Sequence, residues 1–538
     1  MAALRAAVIP HFESVHAHLR LSLACRAPVN RLPVDVLLTV FAFLPLPNLI
    51  TVSHVCFHWR SITLDTPTLW GNSVHIAGLR HRLLRYVLTR AKATLLDIFL
   101  SGIYGPSAKV QDYISLIAHS MSHSNRLHLE GYAIGNRSVS LHLDFSEGVS
   151  CLSSLAIIWA SHTTPDWTSS IRTPLTLSIA LPNDLSTSNP FASLHHIQLR
   201  GVTGGEHFET LLCLSPLRTL DFEVPAMFPL SMILSIIQGS PTLQDVTLAF
   251  SNTKRADEAH PWRDTSPEAW LAQHGLIVTA LMNLVMTGDG RHGLYARSTI
   301  ASVVDTSSIR YVSAKLDALS PLGPALLSET DRPTRFQCHL VDVLAEDARG
   351  FTRRVQLTSD RGVEHLHPPM LNLKNIVTLD ILIECWDLIS GPLDCLEHLQ
   401  LYGQPGELSR VRPTPKVYPA LRTVTLELCA ESIGWGSRAP PRPSVHWLIA
   451  MSAAFVGVRI SGYSRPLERL TVLTPANCKK AYVVRDGAFP FSRFQLQQRG
   501  WGNTYLSDDS DDPGDDWTSG WEVPGVDWGV GWNLPSVP

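Results

Sequence analysis

One short pattern, apolar-x-x-apolar-x-apolar, returns along most of this 538-residue chain and limits what the chain can fold into. It stands at Leu95/Ile98/Leu100, Leu152/Leu155/Ile157, Leu194/Ile197/Leu199, Leu217/Leu220/Phe222 and Leu243/Val246/Leu248. After a gap it returns at Ile376/Leu379/Ile381, Leu396/Leu399/Leu401, Leu421/Val424/Leu426 and Leu467/Leu470/Val472. A degenerate copy ends in Leu127 and Leu129. The last three positions alternate as a strand does when one face is buried. The residue three places earlier closes the turn into that strand. Helix-like segments lie between units at Lys109–Met121, Pro229–Gln238 and Ser444–Val456. In the best stretches neighbouring copies are 20, 23, 25 and 26 residues apart. One such unit cannot bury its own apolar face, so the chain is expected to stack them, each covering the next.

A different pattern occupies the first 70 residues. Pro33 suits the first turn of a helix, where its missing N–H is harmless, and Asp35 complements the positive end of that helix. Val36, Leu37, Val40, Phe41 and Leu44 then recur at helical spacing. Pro45 and Pro47 stop the run. A second short run begins near Asn48 and carries Leu49, Ile50, Val52, Val55, Cys56 and Trp59. Three short helices in so few residues have too much surface to bury these side chains among themselves. The surplus apolar face requires a partner.

Leu32-Pro33, Asp35-Val36-Leu37, Val40-Phe41, Leu44, Leu49, Val55-Cys56, Trp59-Arg60 and Ile62 make residues 31–64 resemble the F-box. That motif docks on the Skp adaptor of Skp–cullin–F-box ubiquitin ligases. Thr66-Pro67-Thr68-Leu69-Trp70 resembles the extension common in fungal F-box proteins. The repeating region resembles the irregular leucine-rich repeats that often follow an F-box, although asparagine or cysteine is missing at the ladder position of most copies. The resemblance implies an α/β chain, α+β overall, with a three-helix F-box followed by an irregular leucine-rich-repeat solenoid. An ordinary α/β domain with a mostly parallel sheet is the alternative. The expected divisions are a helical leader at 1–30, the F-box at 31–75 and the solenoid at 76–497, with an irregular insert at about 251–370. An acidic tail rich in Trp and Gly, expected to be disordered, follows at 498–538. Within the insert, Trp270–Met286 reads as a helix, and Phe336–Leu344 and Phe351–Leu357 read as strands. The resemblance further implies that the adaptor is met by Leu32, Pro33, Val36, Leu37, Val40, Phe41, Leu44, Leu49, Val52, Val55, Cys56 and Trp59. Cullin follows through the adaptor, and a target protein binds the repeats. The rival reading is a repeat scaffold without ubiquitin transfer.

Composition narrows the function classes. The formal net charge is −3 and charged residues are 17% of the chain, so no long-range field favours nucleic acid or an anionic membrane. Hydrophobic residues at 45% can fill a long core. The nine cysteines are irregularly spaced with no CxxC. That suits scattered thiols in cytosol or nucleus better than a disulfide frame or a zinc site. The longest apolar runs, near Gly275–Met286 and Leu448–Val458, are shorter than the roughly 20 residues of a membrane span. The N-terminus lacks a signal-peptide pattern.

Catalytic signals are sparse. Gly288–Gly293 matches G-x-G-x-x-G, but a dinucleotide site needs it between a strand and a helix, and the preceding Leu276–Met286 reads as a helix. His365 and His367 read as a loop, and His195 and His196 alternate faces of one strand, so neither pair is expected to hold a metal. No catalyst and no cofactor are expected.

Overall fold

The computed structural model describes residues 11–12, 14–16, 18, 27–71, 74–118, 120–134, 139–145, 151–159, 172–173, 175–181, 189–225, 228–250, 266–288, 291–316, 322–330, 333–339, 342–357, 373–383, 393–403, 418–428, 468–475 and 494–499. The expected helix at Ser444–Val456, the His365/His367 segment, Leu467 and nearly all of the acidic tail lie outside them. Of the leader, the described residues are helical, with Phe12 and Val15 exposed.

The fold is mixed α/β with a helical N-terminal region. Four short helices come first: α1 (Val34–Ala42), α2 (Leu46–Val52), α3 (Phe57–Asp65) and α4 (Thr68–Gly71). Strands then dominate. They are β1 (Val74–Ala77), β2 (Leu96–Pro106), β3 (Ser124–Ile134), β4 (Val139–Asp144), β5 (Ser154–Trp159), β6 (Arg172–Thr173), β7 (Leu175–Ala180), β8 (His196–Arg200), β9 (Val202–Gly204), β10 (Thr219–Val224) and β11 (Asp245–Phe250). The second half adds β12 (Asn283–Gly288), β13 (Tyr311–Leu316), β14 (Pro333–His339), β15 (Asp342–Asp347), β16 (Thr352–Leu357), β17 (Thr378–Leu382), β18 (His398–Gly403), β19 (Thr423–Leu428), β20 (Arg469–Pro475) and β21 (Phe494–Arg499).

The strands join one another nearly in chain order. The parallel run is β1, β2, β3, β5, β8, β10, β11, β12, β13 and β16. An antiparallel β14–β15–β16 meander follows, and from β14 the parallel run resumes through β17, β18, β19, β20 and β21. A second parallel sheet, β4–β7–β9, forms from the segments between main-sheet strands. Seven more helices lie between strands: α5 (His81–Ala91), α6 (Ser107–Ala118), α7 (Phe208–Leu214), α8 (Leu230–Gly239), α9 (Pro267–His274), α10 (Arg291–Val303) and α11 (Leu322–Ser328).

The recurring pattern explains this arrangement. Its apolar positions are aligned strand to strand, as in Leu199↔Phe222↔Leu248↔Met286. These side chains are essentially inaccessible. A parallel pair presents the same row at each rung, so one apolar stripe per unit makes a continuous core wall. The first unit departs from expectation. Leu95 is 55% exposed, and its neighbour Leu96 is the buried residue before Ile98 and Leu100.

The stretch 251–370, where diverged repeats are expected, holds two copies whose positions the sequence pattern did not single out. Leu281/Leu284/Met286 and Ile309/Val312/Ala314 are buried and in register with β11. The expected helix over Trp270–Met286 is therefore corrected: helix α9 stops at His274, where Gly275 (φ +74°) ends it, and the chain continues to strand β12. A mostly apolar stretch misled the reading, since periodicity alone does not separate a buried strand from a buried helix. Phe336–Leu344, expected as one strand, is parts of β14 and β15.

Candidate partner-docking surface

Helix α1 carries two apolar stripes side by side. Leu37, Phe41 and Leu44 are spaced i, i+4, i+7 and turn inward; Leu37 and Phe41 are buried. Val36, Val40 and Phe43 have the same spacing one residue earlier, and they are exposed, Phe43 by 85%. A helix apolar over so wide an arc is suited to burial on both stripes. Among the described residues only the inner one is covered.

The inner stripe holds the bundle together. Phe41 meets Trp59 of α3 edge-to-face at 5.3 Å. Leu46 and Leu49 of α2 and Ile62 of α3 complete the interior. The Cys56 thiol caps α3 by accepting the Trp59 N–H at 3.5 Å. Pro45 and Pro47 do not separate α1 from a run beginning at Asn48. Helix α2 begins at Leu46, with Pro45 at its cap and Pro47 in its first turn, where proline needs no N–H partner. Pro33 similarly sits at the cap of α1, just before Val34, with Asp35 in the first turn.

The bundle is fastened to helix α5 by Trp70 of α4. Its ring is buried, its Nε1–H donates to the Thr63 carbonyl at 2.7 Å, and it meets Tyr86 of α5 edge-to-face at 5.5 Å. Helix α4 thus joins the N-terminal helices to α5.

The twelve residues expected to meet the adaptor divide into three groups. Leu32, Pro33, Val36, Val40 and Val55 are exposed. Leu44, Val52, Cys56 and Trp59 are half-buried at the margin. Leu37, Phe41 and Leu49 are internal, at 1%, 3% and 2% exposure, and shape the surface from beneath. Sequence reasoning missed Val29, Val34, Phe43 and Phe57, all exposed. Their signal was apolar character outside the inward stripe, which a search for core periodicity passes over.

A family profile for F-box-like domains matches residues 29–74. Residues 29–74 are an F-box-like domain. Domains of this kind generally bind Skp adaptors, and they suggest an F-box adaptor in a ubiquitin ligase complex. No curated protein matches the chain.

Away from this F-box-like domain, the outward face of the main sheet is lined by polar ladders. Asp221 accepts from Gln198 and Arg200, each at 2.8 Å, and buried Asp380 accepts from Gln337 at 2.7 Å and Arg335 at 3.2 Å. At the N-terminal end of that face, Phe99 stacks between His75 (4.9 Å) and His128 (3.8 Å). Burial lowers the pKa of His128, opposed by Glu130 and reinforced by His75.

The glycine loop sits in a context the sequence reading did not expect. Gly288 ends β12 and Arg291 begins α10, so the motif does join a strand to a helix. Gly288 and Gly293 nevertheless serve chain packing. A Cβ at Gly288 (φ +106°) would lie 2.1 Å from the Phe250 carbonyl oxygen, and one at Gly293 would lie 3.0 Å from the Phe250 Cβ. Arg297 of the same helix donates to the carbonyls of Thr287 and Gly288 at 3.2 and 3.0 Å. The neighbouring strand occupies the space that these two glycines leave. Among the described residues no group of three or more His, Cys, Asp or Glu could hold a metal, and no helix is long and apolar enough to cross a membrane. His195 and His196 instead bond to the Pro216 carbonyl and the Thr219 hydroxyl.

Proposed function

We propose that this chain is the non-catalytic substrate-recognition subunit of a Skp–cullin–F-box ubiquitin ligase, with its F-box-like domain on the adaptor and its sheet region on a target protein. One observation carries the reading. Among the described residues, eight large exposed hydrophobics (Val29, Leu32, Val34, Val36, Val40, Phe43, Val55 and Phe57) crowd into the matched domain. A soluble chain seldom leaves so dense an apolar patch uncovered unless a partner buries it.

The C-terminal body is read as an irregular leucine-rich-repeat solenoid. Strand addition in chain order and the aligned apolar rows support this, because each unit is buried only by its neighbours. The outward sheet face then serves as the target surface. Its contribution to ubiquitin transfer is effective concentration, holding a target lysine near the charged thioester. The proposed setting is cytosol or nucleus. The alternative, a repeat scaffold without ubiquitin transfer, predicts adaptor without cullin in the purified complex.

The test replaces Leu32 and Pro33 together by alanine, and separately Val40 by aspartate. All three sites are exposed, so folding should survive, as circular dichroism would check. Apolar anchors commonly contribute about 2 kcal/mol each, so capture of the adaptor should weaken at least thirtyfold. Folded variants that capture as much adaptor as the wild type would overturn the reading.

A further inference from the structure

Helix α5 packs against α4, the last helix of the F-box-like domain, and its outer face is basic. Between Asp65 and Asp97 the sequence has no Asp or Glu but carries Arg80, Arg82, Arg85, Arg90 and Lys92. Leu84, Val87 and Ala91 anchor the helix inward. Arg82, Arg85 and Tyr86 are exposed, and Arg90 lies over the Tyr86 ring at 5.3 Å. Residues 82, 85, 86, 89 and 90 share one face by the i, i+3, i+4 rule. Together with His81 they line an open depression of about 400 Å³. None of the ion pairs among the described residues uses an arginine of this helix.

On the sheet, by contrast, Arg200 is matched by Asp221, Arg335 by Asp380 and Arg354 by Asp342. Like charges three or four residues apart also work against a helix. An unmatched cationic row of this kind is complementary to an anionic surface. Its place decides which one. The Trp70–Tyr86 contact sets this face beside the F-box-like domain, and Tyr86 belongs both to that contact and to the cationic row.

We propose that the arginine face of α5 receives an acidic segment of the protein that docks on the F-box-like domain. The inference rests on the adaptor reading above and deepens it: apolar contact at α1 holds the partner, and the cations on α5 steer and orient it. Such steering acts mainly on association rate and fades with salt.

The experiment uses the full chain and the purified adaptor, with association and dissociation rates measured at about 50 mM and about 500 mM salt. The variant is Arg82→Glu/Arg85→Glu/Arg90→Glu. Its association rate should fall about tenfold or more at low salt, the difference should shrink to within about threefold at high salt, and dissociation should change little. Should that variant fail to fold, Arg82→Gln/Arg85→Gln is expected to show a smaller loss with the same salt dependence. A folded variant matching the wild type at low salt overturns the inference and leaves the adaptor reading standing. Wild-type protein that fails to bind the adaptor at either salt overturns the adaptor reading itself. Wild-type binding to phosphatidylserine vesicles that the triple substitution abolishes, with adaptor kinetics unchanged, would assign the face to a membrane and overturn the inference.

Discussion

Leu399→Ala tests the register of the whole sheet. Leu399 is 1% exposed in β18, aligned with Leu379 of β17 on one side and Val424 of β19 on the other. Alanine removes three carbon atoms, about 2.4 kcal/mol of transfer free energy at about 0.8 kcal/mol per group. Both flanking strands are hydrogen-bonded at the roughly 4.8 Å sheet spacing and cannot close on the gap. A remaining void of about 50 Å³ adds about 1.2 kcal/mol. The expected loss is about 3.5 kcal/mol. Gln400, next along the strand, points to the opposite face and bonds Glu427 at 3.2 Å. Gln400→Ala should lose about 1 kcal/mol or less. Urea unfolding followed by circular dichroism gives the two values. Hydrogen exchange over residues 378–428 should show the loss spread into β17 and β19, since each strand depends on its neighbours. A shift of one residue exchanges the two faces. If Leu399→Ala lies within about 0.5 kcal/mol of wild type while Gln400→Ala is the damaging change, the register is wrong.

Two further predictions concern turns. Gly201 (φ +63°) makes the corner from β8 to β9, and its missing Cβ would lie 1.8 Å from the Trp159 carbonyl oxygen. Gly201→Ala should destabilise the fold by about 2 kcal/mol or more, and an unchanged thermal midpoint would refute that contact. In the turn between β15 and β16, burial alone would raise the pKa of Asp347. The backbone N–H of Phe351 (3.0 Å), the guanidinium of Arg349 (3.0 Å) and the backbone N–H of Arg349 (2.8 Å) outweigh burial and hold it below the usual carboxylate value. Its folded pKa is thus below its unfolded one. The stability it contributes is present above about pH 4 and is lost as pH falls through the folded value. Asp347→Asn should be less stable at neutral pH and show a flatter acid limb in urea midpoints; an unchanged acid limb would remove Asp347 from that role.

Much of this molecule is legible in its residues. Strand positions follow from local alternation, because burying one face of a strand requires an apolar side chain at every second residue. The N-terminal helices follow from spacing and proline placement in the same local way. The two copies at Leu281/Leu284/Met286 and Ile309/Val312/Ala314 carried the same pattern, but the mostly apolar stretch before the first made strand look like helix.

What only the tertiary structure decided was which apolar residues are covered, and by what. Val36 and Leu37 are equally apolar and adjacent in sequence, yet Val36 is exposed and Leu37 buried, because the other short helices pack on one side of α1. Leu95 and Leu96 divide in the same way at the start of β2. The second sheet, β4–β7–β9, depends on segments 36 and 27 residues apart meeting side by side. The glycines at 288 and 293 match a phosphate-loop spacing in sequence, and what they do instead is seen only when Phe250 is set against them. Sequence fixes each side chain's chemistry and local spacing. Burial is a property of pairs of elements, and it exists only once the chain has brought them together.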